Sequence, residues 1–342
     1  MRPAAAFFLT SLAPVPVLVL AAIYGGWFAW AALIYLSLFA FLLDQWLAAA
    51  LDETPGFASA NALCVMLGVA HFAVFFAVLL AFYRGMGAGE GVALFLAAGL
   101  FFGQVGNANA HELIHRGGRG FRLLGKWVYI SLLFGHHCSA HRLVHHRFVA
   151  TRNDPNSARL GESYYRFAIR AWIGSFRAGL RAENQRLERK AIWLHPYFDY
   201  VVGAGICLGF SYGIAGMTGV LIHLGLAAYA QSQLLISDYV QHYGLQRATL
   251  PNGKLEPVND SHSWNAPHWF SGHLMLNAPR HSDHHAHPLR PFPELGLSPQ
   301  APTLPYSLPA MSVLALVPPL WRQIMDPMVE EWTTPIAQKA AA

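Results

Sequence analysis

Charge is what this sequence has least of. Asp, Glu, Lys and Arg make up 12% of its 342 residues, where soluble domains carry about 25%. With 54% hydrophobic residues and a mean hydropathy of +0.33, that deficit excludes a water-soluble globule or a disordered chain. Cysteine is also scarce. Cys64, Cys138 and Cys207 lie far apart and form no C-x-x-C pair, which excludes a zinc ribbon, a disulfide framework and an iron–sulfur centre of the chain's own. Internal repeats and low-complexity tracts are missing as well. The formal charge of +5 would fit a nucleic-acid partner until the cations are placed along the chain.

The apolar residues fall into long runs. A spanning helix needs about 20 of them to cross roughly 30 Å of hydrocarbon. Six such runs occupy 7–24, 27–44, 61–83, 91–110, 198–217 and 219–240. The first is read as a span, not a cleaved signal peptide, because Pro14 and Pro16 break it and a second run follows at once. Proline inside a spanning helix is tolerated. With a cytoplasmic start, the outside loops 25–26, 84–90 and 218 contain only Arg84 of the 23 Lys and Arg residues. The positive charge is therefore a topological signal, and no nucleic-acid partner is expected. The expected fold is all-α integral membrane: a six-helix transmembrane bundle with a histidine-rich cytoplasmic cap. It forms a single domain over 1–342 in a bacterial-type inner (plasma) membrane, with 111–197 and 241–342 on the cytoplasmic side. Segment 119–146 is expected to hold a re-entrant or interfacial helix. Thr249 to Lys254 reads as a turn, and Pro288 to Pro309 as an extended surface segment.

Histidine is as common as acid, at 18 each. All but His71 and His223 lie at or beyond the cytoplasmic ends of the runs, so those two are read as hydrogen-bonded packing residues. His195, His262, His268 and His273 are read as surface or loop residues. The rest cluster: His111 with His115, His136-His137, His141 with His145-His146, His242, and His281 with His284-His285 and His287. Residues four apart share a helix face, so His111 and His115 can hold one metal. His141 with His145, and His281 with His284 and His285, are expected to do likewise. His146 sits about 140° around the helix from His141, a place for a second metal or another partner. H-E-x-x-H alone is also a metalloprotease signature, but a zinc protease needs three protein ligands and leaves most of these histidines surplus. Imidazole suits iron, copper, zinc or nickel, and spacing does not choose among them. Nine grouped histidines overfill one ion and serve two. A dinuclear site just below an apolar bundle suits oxidation of a hydrocarbon held in that bundle.

The motifs extend beyond the histidines. They are His111-Glu-Leu-Ile-His115-Arg116, His145-His146-Arg-Phe-Val-Ala-Thr151 with Asp154-Pro155 and Gly161-Glu162, His242-Tyr-Gly-Leu245, Ser263-Trp264-Asn265, Arg280-His-Ser-Asp-His-His-Ala-His-Pro288, Pro318-Pro-Leu-Trp321 and Met325-Asp326-Pro327. In this order the chain resembles the membrane alkane 1-monooxygenases, within the histidine-rich membrane hydroxylases and desaturases. The resemblance implies a centre of two non-haem iron ions. Its ligands would be His111, His115, His141, His145, His146, His242, His281, His284 and His285. It further implies O2-dependent hydroxylation of the terminal carbon of a medium or long n-alkane. The electrons would come from rubredoxin and its reductase.

Several positions depart from the family pattern. Ala140 and Gln241 stand where the family commonly has Glu, Val144 where it has Gly, and Ala278-Pro279 where it has Leu-Gln. A carboxylate on the second imidazole nitrogen fixes tautomer and basicity. The candidates for that role are Glu112, Asp154, Glu162, Asp238 and Asp283. Alternative functions are an aromatic-methyl or other hydrocarbon hydroxylase, a fatty acyl desaturase, an intramembrane zinc metalloprotease with Glu112 as general base, and a metal transporter or store.

Overall fold

The computed structural model describes residues 3–47, 58–187 and 192–333. These are helical apart from loops and two isolated bridges, Thr249–Leu255 and Asn265–Thr303. Five helices are long and apolar enough to cross a membrane: Ala4–Tyr24, Gly26–Trp46, Ala60–Arg84, Ala88–His115 and Pro196–His242. Their inward faces form one core that includes Phe7, Leu18, Leu63, Val74, Leu94 and Phe101. Their outward faces are apolar too, with Trp27, Val69, Ile206, Phe210 and Leu221 exposed. Helices that are apolar all round sit in lipid or deep in a core, and these are on the perimeter.

The fifth helix contains 47 residues, about 70 Å if it were straight. It folds back on itself at Ala215 and Gly216, where the backbone leaves the helical region and Gly216 takes φ +56°. Ser211 Oγ lies 2.8 Å from His223 Nδ1, although twelve residues of straight helix would separate them by about 18 Å. Gly219 makes the close return possible, since a Cβ there would lie 2.2 Å from the Ser211 carbonyl oxygen. The element is thus two antiparallel limbs. The apolar runs placed the break at 218, but the left-handed φ of Gly216 puts it two residues earlier.

After His115 the chain forms the helix Arg119–Ser131. Thirteen residues reach only about 20 Å, too short to cross. This helix packs tightly on the end of the fourth: a Cβ on Gly125 would lie 2.8 Å from Leu113 Cβ and 2.9 Å from the Ala110 carbonyl. That contact fixes the turn bearing His111 and His115. A second core gathers Tyr129, Phe167, Tyr239, Tyr243, Trp264, Trp321 and Met325. Within it Tyr243 donates to Asp326 at 2.5 Å and receives the Gly161 N–H at 2.8 Å. Several motif residues therefore hold this second core together. The expectation for 288–309 needs correction. Phe292, Leu295 and Leu304 are buried, and the Phe292 N–H donates to Glu112, so the segment is partly threaded into the interior instead of lying on the surface. The antiparallel bridge at Thr249–Leu255 closes the turn expected there.

Candidate metal centre

Two π-helical turns shape the site. One, Phe101–Gly106, sits in the fourth helix just before the turn that presents His111 and His115. The other, His141–His145, begins and ends on a clustered histidine and hands the chain on to a third, His146. A π-turn bonds i to i+5, and here it brings His146 round to His141, with their Nε2 atoms 2.9 Å apart. His145 is left facing the other way, its ring 4.7 Å from those of His242 and His285. In the short helix His281–Ala286, His284 and His285 point about 100° apart.

The nine histidines accordingly fall into two groups, one of His111, His115, His141, His146 and His284, the other of His145, His242, His281 and His285. Within each group the ring nitrogens lie within 4.8 Å of one another. Two sequence expectations change. His141 and His145 do not share a group, and His281 shares one with His285 but not with His284. The π-turn and the angle between adjacent helical residues split each consecutive pair, His145-His146 and His284-His285, between the groups. His111 with His115 stay together, as their i, i+4 spacing predicts.

The donor geometry fits metal ions. Nε2 separations are 2.7 Å for His111–His141 and 3.1 Å for His146–His284. In the second group they are 3.0 Å for His242–His281 and 3.1 Å for His281–His285. Imidazole nitrogens about 2.1 Å from an ion and at right angles would lie about 3 Å apart. Shared protons cannot satisfy the groups fully, because the Nε2 atoms of His115 and His145 are buried without a hydrogen-bond partner among the described residues. Burial, then the neighbouring histidines, pushes His141, His146, His281, His284 and His285 well below the usual histidine pKa. These rings are neutral at physiological pH and offer lone pairs. Burial works the same way on His145, but the Asp154 carboxylate outweighs it and raises the pKa.

Of the five acids proposed to support ligands, Asp154 meets one directly: its Oδ2 lies 2.8 Å from His145 Nδ1. Asp238 accepts from Asn156 Nδ2 at 2.6 Å. Glu112 pairs with Arg116 at 2.7 Å, Glu162 with Arg170 at 2.7 Å, and Asp283 with Arg290 and His287. Glu112 is thus engaged with a cation and with the Phe292 amide, which leaves it poorly prepared to act as a protease base. Outside the groups, His71 bonds Ser131 Oγ and His223 bonds Ser211 and the Ser131 carbonyl, matching their packing role. His262 and His273 are buried rather than superficial; they bond Glu256 and the Trp269 carbonyl. His136 lies among Phe134, Trp172 and Phe176, and burial lowers its pKa to about 4.

A cavity of about 1030 Å³ runs from apolar walls such as Leu38, Leu100, Met275 and Leu314 to His111, His141 and His281. It therefore touches both groups. Gly103, in the first π-turn, also lines it, and a Cβ there would lie 2.1 Å from Gln233 Nε2. Nothing in the sequence identified Gly103, Asn156 or the cavity walls, because each depends on which helices meet.

The fatty acid desaturase family profile matches residues 90–298, a stretch that contains all nine histidines. The chain belongs to the fatty acid desaturase family. Within reach of that family it is similar to alkane 1-monooxygenase 1 of Alcanivorax borkumensis, at 37% identity over 72% of this chain and 62% of that protein. Alkane 1-monooxygenase 1 of Pseudomonas aeruginosa is 35% identical over 69% of this chain and 63% of its own length. The xylene/toluene monooxygenase hydroxylase component of Pseudomonas putida is 27% identical over 65% and 60%. The matches thus span less than two thirds of these relatives. The desaturase family profile begins in the fourth helix and ends beyond the His281–Ala286 helix, so it covers the elements that build both histidine groups.

Proposed function

We propose that this chain is a membrane monooxygenase that hydroxylates a hydrocarbon, with the terminal carbon of a medium or long n-alkane as substrate. The nine histidines would hold two non-haem irons, one per group. When bound, that pair supplies the reduction of O2 by two electrons and two protons, delivering one oxygen atom to a C–H bond and the other to water. The observation that carries this reading is the apolar cavity ending on both groups. Leu38, Leu100 and Met275 would hold the chain by burial, at about 0.8 kcal/mol per methylene. His111, His141 and His281 border the place where its end comes to rest. Electrons would come from rubredoxin and its reductase. The folded fifth helix would contribute two crossings, giving six in a bacterial-type inner membrane with both histidine groups on the cytoplasmic side.

Hydroxylation of an aromatic methyl group is the second reading, favoured by the similarity to the xylene/toluene monooxygenase component. Membranes containing the protein, supplied with rubredoxin, its reductase, NADH and O2, should convert n-alkanes to primary alcohols. A benzylic alcohol made faster from an alkyl aromatic would establish the second reading, and an alkene would establish a desaturase. No product from any hydrocarbon, with two irons bound, would refute hydroxylation.

A further inference from the structure

The two histidine groups differ in what stands behind them. Of the nine rings, His145 alone hydrogen-bonds a carboxylate among the described residues. Asp154 is itself held, receiving Ser157 Oγ at 2.7 Å and the Asn156 N–H at 3.0 Å. The side chain of the same Asn156 donates to Asp238 Oδ2 at 2.6 Å. All four residues are buried: His145, Asp154 and Asn156 at 3% exposure or less and Asp238 at 7%. The Nδ1 atoms of His141 and His146 in the five-histidine group, and of His281 and His285 in the four-histidine group, have no partner among the described residues, so the carboxylate behind His145 is what sets its group apart.

We propose that Asp238 is a positioning residue for the four-histidine group, acting on His145 through Asn156 and Asp154. The inference rests on the metal reading above and adds to it a difference between the two metal positions. An ionised carboxylate only accepts hydrogen bonds, so Asp154 places the proton of His145 on Nδ1 and leaves the lone pair on Nε2. That Nε2 is buried without a partner and faces the His242 and His285 rings. Asp238 lies one helical turn before His242, on the same face. A single carboxylate therefore ties the helix that presents His242 to the loop that orients His145. A buried acid in an apolar helix is costly, and here its bond to Asn156 accounts for its presence. The carboxylate absent at Gln241 is thus replaced by one a turn earlier that reaches the ligands indirectly. Gln241 itself bonds Ser237 and the Ala278 carbonyl.

The test is cobalt(II) titration of metal-free full-length protein in detergent, followed by ligand-field absorption. It compares wild type with Asp238→Leu, Asp238→Asn and Asn156→Ser. A His242→Ala variant identifies which equivalent belongs to the four-histidine group. Asp238→Leu should weaken that equivalent by several-fold up to about 10-fold, the low end of the effect of removing a direct partner of a ligand because Asp238 acts through two intermediaries, and leave the other unchanged. Asn156→Ser breaks the link in the loop, outside the spanning helix, and should do the same even if the Leu variant folds poorly. Asp238→Asn keeps an acceptor for Asn156 Nδ2 and should restore near wild-type binding. The proposal is overturned if Leu and Ser leave both equivalents intact, if they weaken both equally, or if Asn is as damaging as Leu. Wild-type protein that binds fewer than two ions would instead refute the dinuclear reading on which the proposal stands.

Discussion

Replacing two consecutive residues, His145 and His146, should damage two different metal positions. The π-turn aims His145 at His242 and His285, and His146 at His141, His115 and His284. Four-ligand protein sites bind their ion with about 10–16 kcal/mol, roughly 3 kcal/mol per donor. His145→Ala should therefore weaken one equivalent by about 100-fold or somewhat more. His146→Ala leaves four donors in its own group and should weaken the other equivalent by less. Equilibrium titration of the metal-free protein with cobalt(II) measures both. Double mutants sharpen the result. His145→Ala with His242→Ala should be non-additive and act on one equivalent, because the two donors serve the same ion. His145→Ala with His111→Ala should instead weaken one equivalent each. If His145→Ala and His146→Ala lower the same equivalent, or if His145 couples to His111 and not to His242, the division into five and four is wrong.

Three further outcomes follow from other parts of the molecule. Gly103→Ala must displace the Gln233 side chain from its 2.8 Å bond to the Gly99 carbonyl, so a loss of about 1–3 kcal/mol and a shift toward shorter substrates are expected; an unchanged product profile across chain lengths would show that this wall does not meet substrate. Gly219→Ala puts a Cβ against a backbone oxygen that cannot swing aside, so thermal unfolding in detergent should come several degrees earlier, and an unchanged midpoint would contradict the hairpin in the fifth helix. Arg170 holds Glu162 together with the Pro155 and Ser157 carbonyls, and Arg170→Gln should cost about 1.5–3 kcal/mol at neutral pH. Burial opposes the charge of Glu162, yet the Arg170 hydrogen bonds outweigh it and hold the pKa below the usual range. The contribution is therefore present above the ordinary glutamate value of about 4.3 and lost as pH falls through the lowered one. The stability gap between wild type and Arg170→Gln should close on acidification and persist at neutral pH.

The sequence alone marked out the apolar helices and the histidine-rich region of this protein. Few charges and long apolar runs require lipid around the helices, because lipid-facing backbone must bond within its own segment and the side chains outside it must be apolar. Clustered histidines mark a region able to hold metal, since so many imidazoles have little packing use in one place. What the sequence could not decide was which histidine stands with which. Spacing rules assume an α-helix, and a π-turn adds a residue to one turn and redirects every side chain around it. The same limit hid the true break in the fifth helix, where a glycine backbone angle and not hydropathy makes the turn. It also hid the burial of Phe292 and the wall formed by Gly103. The link from Asp238 to His145 joins residues 82 and 9 positions apart, and no local pattern encodes it. Local propensity and hydropathy act over a turn or two of chain, whereas partnership in a buried site is set by which surfaces meet when the helices pack.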